Sequence, residues 1–386
     1  MYSIESGYSS LNKYKEELCG DCVEIINGDE SSTMVLADGL GSGVKANILS
    51  TLTSKIIGTM MASGLKISDA VQTIAHTLPV CSERQIAYST FSILQVSRGG
   101  DAYLVQFDNP QAIFLHDAKS TDYPMKKLSV CGKEIYESHL TLERGDMFVL
   151  VSDGVVHAGV GKIYNFGWQR DNICQFLEQH YRGDMTAKAM ADMLTGACGQ
   201  LYIDMPGDDA TTAVMRMRDS AVLSVMIGPP VSRDDDLGMV HDFMLPPGKK
   251  AVCGGTTAQI VARGLGKKVE TSIDYVDPGL PPTAKIDGVD LVTEGVLTLS
   301  RVLGYTKLYR SSPDAGQALA ANDGASLLAR LMLEESTDIN FFVGRAINPA
   351  HQNPDFPAEL SMKSRLVGEL ADSLKACGKR VNVRFF

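Results

Sequence analysis

The most constraining feature of this sequence is a pattern that occurs three times: an apolar, strand-like segment meets an aspartate that has a glycine or a second aspartate beside it. The three examples are residues 34–37 before Asp38 and Gly39, residues 147–151 before Ser152, Asp153 and Gly154, and residues 210–215 after Asp208 and Asp209. Taken alone, each is typical of an ordinary turn, because Asp and Gly are both favoured where a strand ends. Taken together, they predict that several carboxylates meet at neighbouring strand ends.

Carboxylates brought together in this way repel each other. A close pair of like charges costs about 4 kcal/mol at an effective dielectric constant near 20, and divalent cations are the usual relief. Because the candidate ligands are all oxygen atoms, the pattern favours Mg²⁺ or Mn²⁺ over zinc, which prefers His and Cys. We therefore expect a metal centre that includes Asp38, Asp153 and Asp208.

A glycine-rich link, Gly-Leu-Gly-Ser-Gly, follows Asp38. It departs both from the phosphate loop of nucleotide-binding proteins and from the dinucleotide-binding fingerprint. We interpret its glycines as a sharp turn that exposes the carbonyl of Gly39 before a helix begins near Val44. Apolar residues at helical spacing, among them Ile48 and Leu52, support that helix.

The order of strand-like and helical segments predicts an α+β fold for residues 1–220. Strand-like runs stand first and last in this region, with two helical pairs between them. The pairs are predicted at residues 44–63 with 68–78 and at residues 168–180 with 185–202. Such an order favours a sandwich over a parallel sheet with crossover helices.

The second half of the chain has a different organisation. Strand and helix patterns alternate, which predicts a separate α/β domain over residues 237–386. Residues 221–236 contain Pro229-Pro230 and a run of three aspartates, and we interpret them as a junction or linker. No catalytic motif is evident in the second domain, so its position suggests a regulatory or docking role. Residues 253–257 there fit either an anion-contacting loop or a plain turn between a strand and a helix, and residues 345–351 fit either the lining of a pocket or a plain turn.

Charge and hydropathy exclude other classes of protein. A net charge of −10 argues against nucleic-acid binding, which usually requires a basic surface. No segment approaches the roughly 18 uninterrupted apolar residues of a membrane-spanning helix, and the first residues lack a secretory signal. We expect a cytoplasmic protein without a nucleic-acid or membrane partner, and leave homo-oligomerisation open.

The eight cysteines are best interpreted as reduced core thiols, because most are isolated within apolar segments. The exception is Cys19-Gly20-Asp21-Cys22. A zinc site there would lack two of its four ligands, since no second pair exists. A strand-like run follows it, whereas a thioredoxin-like motif precedes a helix. We therefore favour packing over redox function for this pair.

Three motifs together resemble one protein family. They are Asp-Gly-Leu-Gly-Ser-Gly from residue 38, Ser-Asp-Gly from residue 152 and Gly-Asp-Asp-Ala-Thr from residue 207. Their order and spacing resemble the PPM (type 2C) family of metal-dependent serine/threonine phosphatases, in particular the bacterial branch typified by stage II sporulation protein E. Asp21 sits where that branch carries a Gly-Asp pair, and Trp168 also matches its pattern. The resemblance covers about residues 15–218.

The resemblance implies an α-β-β-α sandwich and a centre of two Mn²⁺ or Mg²⁺ ions bridged by Asp38. Asp153 and Asp208 would complete one metal site, and the Gly39 carbonyl would bind the other metal. Asp21 would act through water at that second metal. The implied reaction is in-line attack on phosphorus by a metal-bridging hydroxide, without a phosphoenzyme. The implied substrate is phosphoserine or phosphothreonine on a bacterial regulatory protein, such as an anti-anti-sigma-type regulator.

Some roles stay open under this resemblance. Asp209 stands where relatives place a second Asp or Asn, as a further candidate ligand. Many eukaryotic relatives have a histidine after Asp-Gly, but this chain has Leu40, so the general acid is unassigned. His157 is more readily interpreted as structural than as that acid. The helices that follow Asp38 are thought to act as a switch in this branch, although their spacing also fits a pair that covers a sheet.

Two other functions are compatible with the sequence. One is a non-enzymatic scaffold that senses a ligand or redox state on the same fold. Against it, every expected metal position carries an acidic side chain, which a degenerate scaffold has no need to keep. The other is a phosphatase of small metabolites, with the second domain selecting the substrate.

Overall fold

The computed structural model describes residues 2–28, 30–77, 89–130, 133–271, 283–311, 315–346 and 358–386. The chain forms two compact units, Met1–Asp219 and Ser220–Phe386. Among the described residues, no helix has the length and apolar character needed to cross a membrane. Predictions that concern Leu78, Cys81, Cys131 and residues 347–351 lie outside the described residues.

The first unit contains two antiparallel sheets. Its strands are β1 Tyr2–Leu11, β2 Asp21–Asn27, β3 Ser31–Gly39, β4 Ser89–Ser97, β5 Asp101–Phe107, β6 Ile113–His116, β7 Lys119–Thr121, β8 Lys126–Val130, β9 Lys133–Thr141, β10 Met147–Val151 and β11 Ala210–Asp219. Its helices are α1 Gly43–Ala62, α2 Ile67–Thr77, α3 Asp153–Val156, α4 Arg170–His180 and α5 Ala187–Leu201. One sheet has the order β1-β11-β10-β6-β7, and the other has the order β2-β3-β4-β5-β9-β8.

Alternation along the strands builds three apolar layers in this unit. Leu36 of β3 and Leu150 of β10 belong to one buried cluster, which fills the space between the sheets. The next residue along β3, Val35, points to the opposite face and packs with Ile57 of α1. On the outer face of the other sheet, Val149 of β10 packs with residues of α4 and α5. The predicted α-β-β-α sandwich is confirmed.

Helix α1 forms where it was predicted, but apart from Ile57 its buried side is made of small residues. Ala46, Ser54 and Gly58 are buried against the sheet. The larger apolar residues Ile48 and Leu52 are 51% and 50% exposed. Small side chains let the helix approach the sheet closely, so the apolar spacing correctly indicated a helix but not which side it buries.

Strand β1 was not predicted from the sequence. It pairs with β11 along its whole length, from Tyr2 opposite Asp219 to Leu11 opposite Ala210. Serines and a glutamate of β1 are nevertheless buried, among them Glu5 at 5% exposure. A strand that buries polar residues lacks the apolar alternation by which strands are recognised.

The second unit contains one sheet, with the order β14-β15-β16-β13-β12-β17-β18. Its strands are β12 Val222–Ile227, β13 Lys249–Cys253, β14 Glu270–Thr271, β15 Ala284–Ile286, β16 Val289–Thr293, β17 Asp338–Val343 and β18 Arg380–Phe385. Its helices are α6 Asp236–Met244, α7 Gly255–Leu265, α8 Val296–Ser311, α9 Ala315–Leu319, α10 Gly324–Arg330 and α11 Ala358–Ala376. The five neighbouring strands β16-β13-β12-β17-β18 are parallel to one another. This is the predicted α/β region of alternating strands and helices.

The interpretation of residues 221–236 as a linker is wrong. Their first part forms β12, which lies between β13 and β17 inside the sheet. Their last residue, Asp236, begins α6, is buried and forms an ion pair with Arg263. Pro229 and Pro230 belong to the connection between β12 and α6. A strand that is buried on both faces is a short, continuous apolar run. β12 is such a run, and it was missed because the residues that follow it resemble a domain junction.

Candidate metal centre

Asp21 and Asp38 are brought together by the pairing of β2 with β3. Asp21 is the first residue of β2, and it is the register partner of Asp38 near the end of β3. The pairing continues one step further, since the N–H of Gly39 donates to the carbonyl of Gly20 at 3.2 Å. A Cβ at Gly39 would lie 2.0 Å from the carbonyl oxygen of Ala46, so only glycine allows α1 to approach here.

Asp153, Asp208 and Asp209 lie at one edge of the other sheet. Asp153 begins α3 directly after β10, and the other two immediately precede β11, the neighbour of β10. Two hydrogen bonds hold these strand ends in register. The N–H of Ser152 donates to the carbonyl of Thr211 at 3.0 Å, and the N–H of Thr211 donates to Oγ of Ser152 at 2.9 Å.

The segment between β1 and β2, residues 12–20, connects the two groups of aspartates. The N–H of Lys13 donates to Oδ1 of Asp209 at 2.9 Å, and Nζ of Lys13 lies 4.0 Å from Oδ1 of Asp208. Further along, a Cβ at Gly20 would lie 2.8 Å from Oδ2 of Asp209. Asp21 follows directly. No local sequence signal marks Lys13, because its contacts are with residues almost two hundred positions away.

A hydrogen bond from Tyr202 supports the start of α3. Its hydroxyl donates to the carbonyl of Gly154 at 2.6 Å, next to Asp153. A Cβ at Gly154 would lie 2.0 Å from the carbonyl oxygen of Asp209, so glycine is required at this contact. Sequence reasoning did not identify Tyr202, since it follows a helix and stands outside all three motifs.

Burial and mutual repulsion disturb the ionisation of these carboxyl groups. Burial raises the pKa of Asp38, and the charges of Asp21, Asp153 and Asp208 raise it further. Burial likewise raises the pKa of Asp21, with the charges of Asp209 and Asp153 adding to it. The pKa of Asp208 is also raised by burial and by Asp153. The acidic residues of the two sheets therefore interact electrostatically.

The donor atoms suit a hard divalent cation. Both carboxylate oxygens of Asp21, and Oδ2 of Asp209, are buried without a hydrogen-bond partner among the described residues. Such groups are expensive to leave unpaired, and Mg²⁺ and Mn²⁺ accept oxygen ligands of this kind. In the part of the chain that the structure describes, no group of three or more His, Cys, Asp or Glu is close enough together to hold a metal ion as it stands. Binding would therefore require the carboxylates to draw closer.

The two cysteines beside Asp21 do not resemble a reactive pair. Burial raises the pKa of Cys19, and the charges of Asp21 and Asp209 raise it further, so the thiol stays protonated. Sγ of Cys22 accepts a hydrogen bond from Oγ of Ser54 at 3.2 Å. Both observations favour the interpretation of these cysteines as packing residues.

Comparison with known proteins gives a family for the first unit. Residues 28–218 match the family model described as Stage II sporulation protein E (SpoIIE). The curated stage II sporulation protein E of Bacillus subtilis (strain 168) is 22% identical over 223 residues, which are 56% of this chain and 26% of that protein. The chain thus spans about a quarter of the length of that relative.

Several solved structures are similar to part of this chain. The PP2C phosphatase domain of SpoIIE from Bacillus subtilis, solved with a fragment of its regulatory domain, has 18% identity and a TM-score of 0.49, over 56% of this chain and 64% of that one. RsbX in complex with magnesium has 19% identity and a TM-score of 0.40, over 55% and 95%. The catalytic domain of the serine threonine protein phosphatase PstP, in complex with 2 manganese ions, has 14% identity and a TM-score of 0.39, over 57% and 100%.

Proposed function

Because residues 28–218 form a domain of the SpoIIE family of PPM phosphatases, we propose that this chain hydrolyses phosphoserine or phosphothreonine on a regulatory protein. The observation that carries the proposal is that acidic residues from two sheets lie near enough to one another to interact electrostatically. They are Asp21 and Asp38 from one sheet and Asp153, Asp208 and Asp209 from the other. Divalent cations would relieve the repulsion within such a centre. They also activate water and stabilise negative charge in the hydrolysis of phosphate esters.

The proposed ligands follow the family pattern. Asp38 would bridge two Mn²⁺ or Mg²⁺ ions, Asp153 and Asp208 would complete one site, and the carbonyl of Gly39 would serve the other. Asp21 would act through water, which suits its position as the register partner of Asp38. When bound, the cations supply an activated water nucleophile and screen the charge of the phosphate.

The role proposed for Asp209 is to position the neighbouring groups. Its Oδ1 accepts the N–H of Lys13, while its Oδ2 is buried and unpaired among the described residues. It therefore fixes residues 12–20 against the strand end and still offers one oxygen to a cation. Lys13 holds its ammonium group near Asp208, where it offsets part of the negative charge of the centre.

We propose a cytoplasmic signalling role, such as the control of sporulation or of a stress response, with the phosphorylated regulator as partner. The second unit would adjust the rate or the choice of substrate. A scaffold that binds no cation is the less favoured hypothesis, because carboxylate oxygens that are buried without partners among the described residues would lower its stability.

The proposal is tested by a substrate panel with the full-length chain in Mn²⁺. The panel contains phosphoserine and phosphothreonine peptides, phosphorylated sugars and p-nitrophenyl phosphate. We expect hydrolysis of the peptides and of p-nitrophenyl phosphate, and loss of both in EDTA. Preferential hydrolysis of the sugars would support the metabolite phosphatase instead. Binding of Mn²⁺ without hydrolysis of any member would support the scaffold.

A further inference from the structure

Large apolar side chains are exposed on three segments that border the candidate metal centre. One segment is residues 12–20, the second is the turn at residues 159–166, and the third is residues 202–206. We call six of these exposed side chains the apolar collar: Tyr14, Val160, Ile163, Phe166, Ile203 and Met205. Leu18 and Tyr164 are exposed on the same segments. Phe166 is 81% exposed. Single exposed apolar residues are ordinary, but a group of six on adjoining segments indicates an interaction surface.

Hydrogen bonds join the three segments. The N–H of Tyr14 donates to the carbonyl of Pro206 at 2.9 Å, which connects the first segment to the third. Nζ of Lys162 donates to the carbonyl of Met205 at 2.8 Å and also to that of Tyr202, which connects the second to the third. Within the turn, the N–H of Gly161 donates to the carbonyl of Tyr164 at 3.0 Å. The collar is therefore held in place without a bound partner.

The same segments are anchored to the acidic centre. Lys13, beside Tyr14, donates its N–H to Asp209. Tyr202, beside Ile203, donates its hydroxyl to the carbonyl of Gly154. A molecule whose phosphate reaches the centre would therefore lie next to the collar.

The chemistry of the collar identifies its occupant. Aromatic residues and methionine are enriched where protein surfaces meet, whereas a small phosphorylated metabolite has little apolar surface to offer. The segment that carries Tyr14 has two lysines, one on each side of the tyrosine, followed by two glutamates, and Oε1 of Glu16 accepts a hydrogen bond from Oγ of Ser42 at 3.2 Å. Nζ of Lys15 lies 5.4 Å from the centre of the Tyr14 ring, and Lys13 precedes Tyr14 in the chain. Positive charge at the border of an apolar surface complements a phosphorylated residue with apolar neighbours.

We propose that the apolar collar docks the protein substrate, and that it selects a phosphorylated segment in which large apolar side chains flank the phosphoserine or phosphothreonine. The inference rests on the proposed function and adds the class of sequence that the site accepts. Apolar contact at the collar would hold the segment while its phosphate enters the centre. Loss of this contact should therefore raise KM more than it lowers kcat.

The test uses two synthetic phosphoserine peptides of equal length and charge. In one, Leu, Val and Phe flank the phosphoserine, and in the other these positions are Ser, Gln and Asn. With the full-length chain in Mn²⁺, kcat/KM should be about tenfold higher for the apolar peptide, the size of effect that a central aromatic anchor produces. Phe166→Ala and Met205→Ala should each reduce that ratio, mainly through KM.

Leu245→Ala is the matched control, because Leu245 is 70% exposed but lies in the second unit. It should leave the peptide ratio unchanged. Emission of Trp168, the single tryptophan, checks that each variant is folded. Equal kcat/KM for the two peptides in the wild type overturns the collar, and so does an equal loss of the ratio in the control. If p-nitrophenyl phosphate is hydrolysed and neither peptide is, the collar fails while a phosphatase remains. If none of the three is hydrolysed, the proposed function fails, and the collar with it.

Discussion

Asp21 and Asp38 lie directly opposite each other across β2 and β3. Like charges at such positions in an antiparallel pair are destabilising. Both residues also interact with Asp153, which begins α3 at the edge of the other sheet. The fold thus assembles an unfavourable concentration of negative charge at one edge of the first unit.

Without divalent cations, the chain should lose stability as the pH rises. Burial, followed by neighbouring carboxylates, raises the pKa of Asp21, of Asp38 and of Asp208 in the folded state. The folded state therefore holds more protons than the unfolded state above the ordinary carboxyl pKa of about 4. These three carboxyl groups stabilise the folded state fully at a pH below the ordinary carboxyl pKa. That stabilisation is lost as the pH rises through their raised pKa values. In EDTA, Tm should fall between about pH 5 and pH 8; a Tm that rises steadily over this range speaks against the buried acidic cluster.

Mn²⁺ should raise Tm and reduce this dependence on pH. A ligand that binds only the folded state adds about 2.7 kcal/mol at a concentration of 100 Kd. The Asp38→Asn variant should gain much less, whereas Asp122→Asn, which changes an exposed aspartate of the same unit, should behave as the wild type. Thermal unfolding with and without Mn²⁺ measures the change in Tm of the wild type and of both variants. A Tm that Mn²⁺ leaves unmoved in the wild type contradicts the metal centre.

Tyr202→Phe should weaken both stability and catalysis. The variant loses the hydrogen bond to the carbonyl of Gly154, which is worth about 1 kcal/mol in free energy of unfolding. Asp153 is the neighbour of Gly154, so activity should fall by about 10- to 100-fold, as when other supports of metal ligands are removed. Tyr136→Phe is the control, since Tyr136 is 40% exposed in the same unit. Urea unfolding and hydrolysis of p-nitrophenyl phosphate measure the two effects, and equal activity in both variants would show that this support is unnecessary.

Much of the fold was predictable where the local pattern matches the final environment. Strands β3 and β10, which lead to Asp38 and Asp153, are apolar runs. The side chains of each strand are buried on both faces of its sheet. β1 was not predictable in this way, because it buries Glu5 and several serines through its pairing with β11. β12 was mistaken for a linker because the turn residues after it resemble a domain junction.

The aspartates of the candidate site were predictable, but their supports were not. Asp38, Asp153 and Asp208 belong to short motifs beside apolar strands, and it is the repetition of this pattern, together with the family resemblance of the motifs, that predicts a shared metal centre. Lys13 and Tyr202 reach the same edge through contacts that only the folded chain creates. Long-range contacts of this kind leave no mark on the neighbouring sequence.

The first unit should work without the second. Its last strand, β11, ends at Asp219, which is also the last residue of that compact unit. A chain that ends there should fold, bind Mn²⁺ and hydrolyse p-nitrophenyl phosphate. The ratio of peptide to small-ester activity should change by roughly 5- to 150-fold relative to the full chain, the usual range of coupling between sites. If the shortened chain folds and binds metal but hydrolyses nothing, residues 220–386 take part in catalysis.

Cys19 and Cys22 should resist mild oxidation. Burial and the charges of Asp21 and Asp209 raise the pKa of Cys19, and the thiol reacts far more slowly than the thiolate. Hydrogen peroxide at neutral pH should therefore change the wild type and the Cys19→Ser/Cys22→Ser variant equally. A loss of activity that only the wild type shows, and that a thiol reductant reverses, would instead reveal a redox switch next to Asp21.

The most direct test of the central claim is Mn²⁺-dependent hydrolysis of p-nitrophenyl phosphate by full-length Asp38→Ala and Asp153→Ala. Asp122→Ala is the control, and thermal unfolding in EDTA confirms that each variant is folded. Asp38 is the proposed bridge between the cations, so its loss should reduce hydrolysis to the level of buffer with Mn²⁺ alone. Asp153→Ala should do the same, while Asp122→Ala keeps the wild-type rate. Substantial hydrolysis by folded Asp38→Ala would contradict the account.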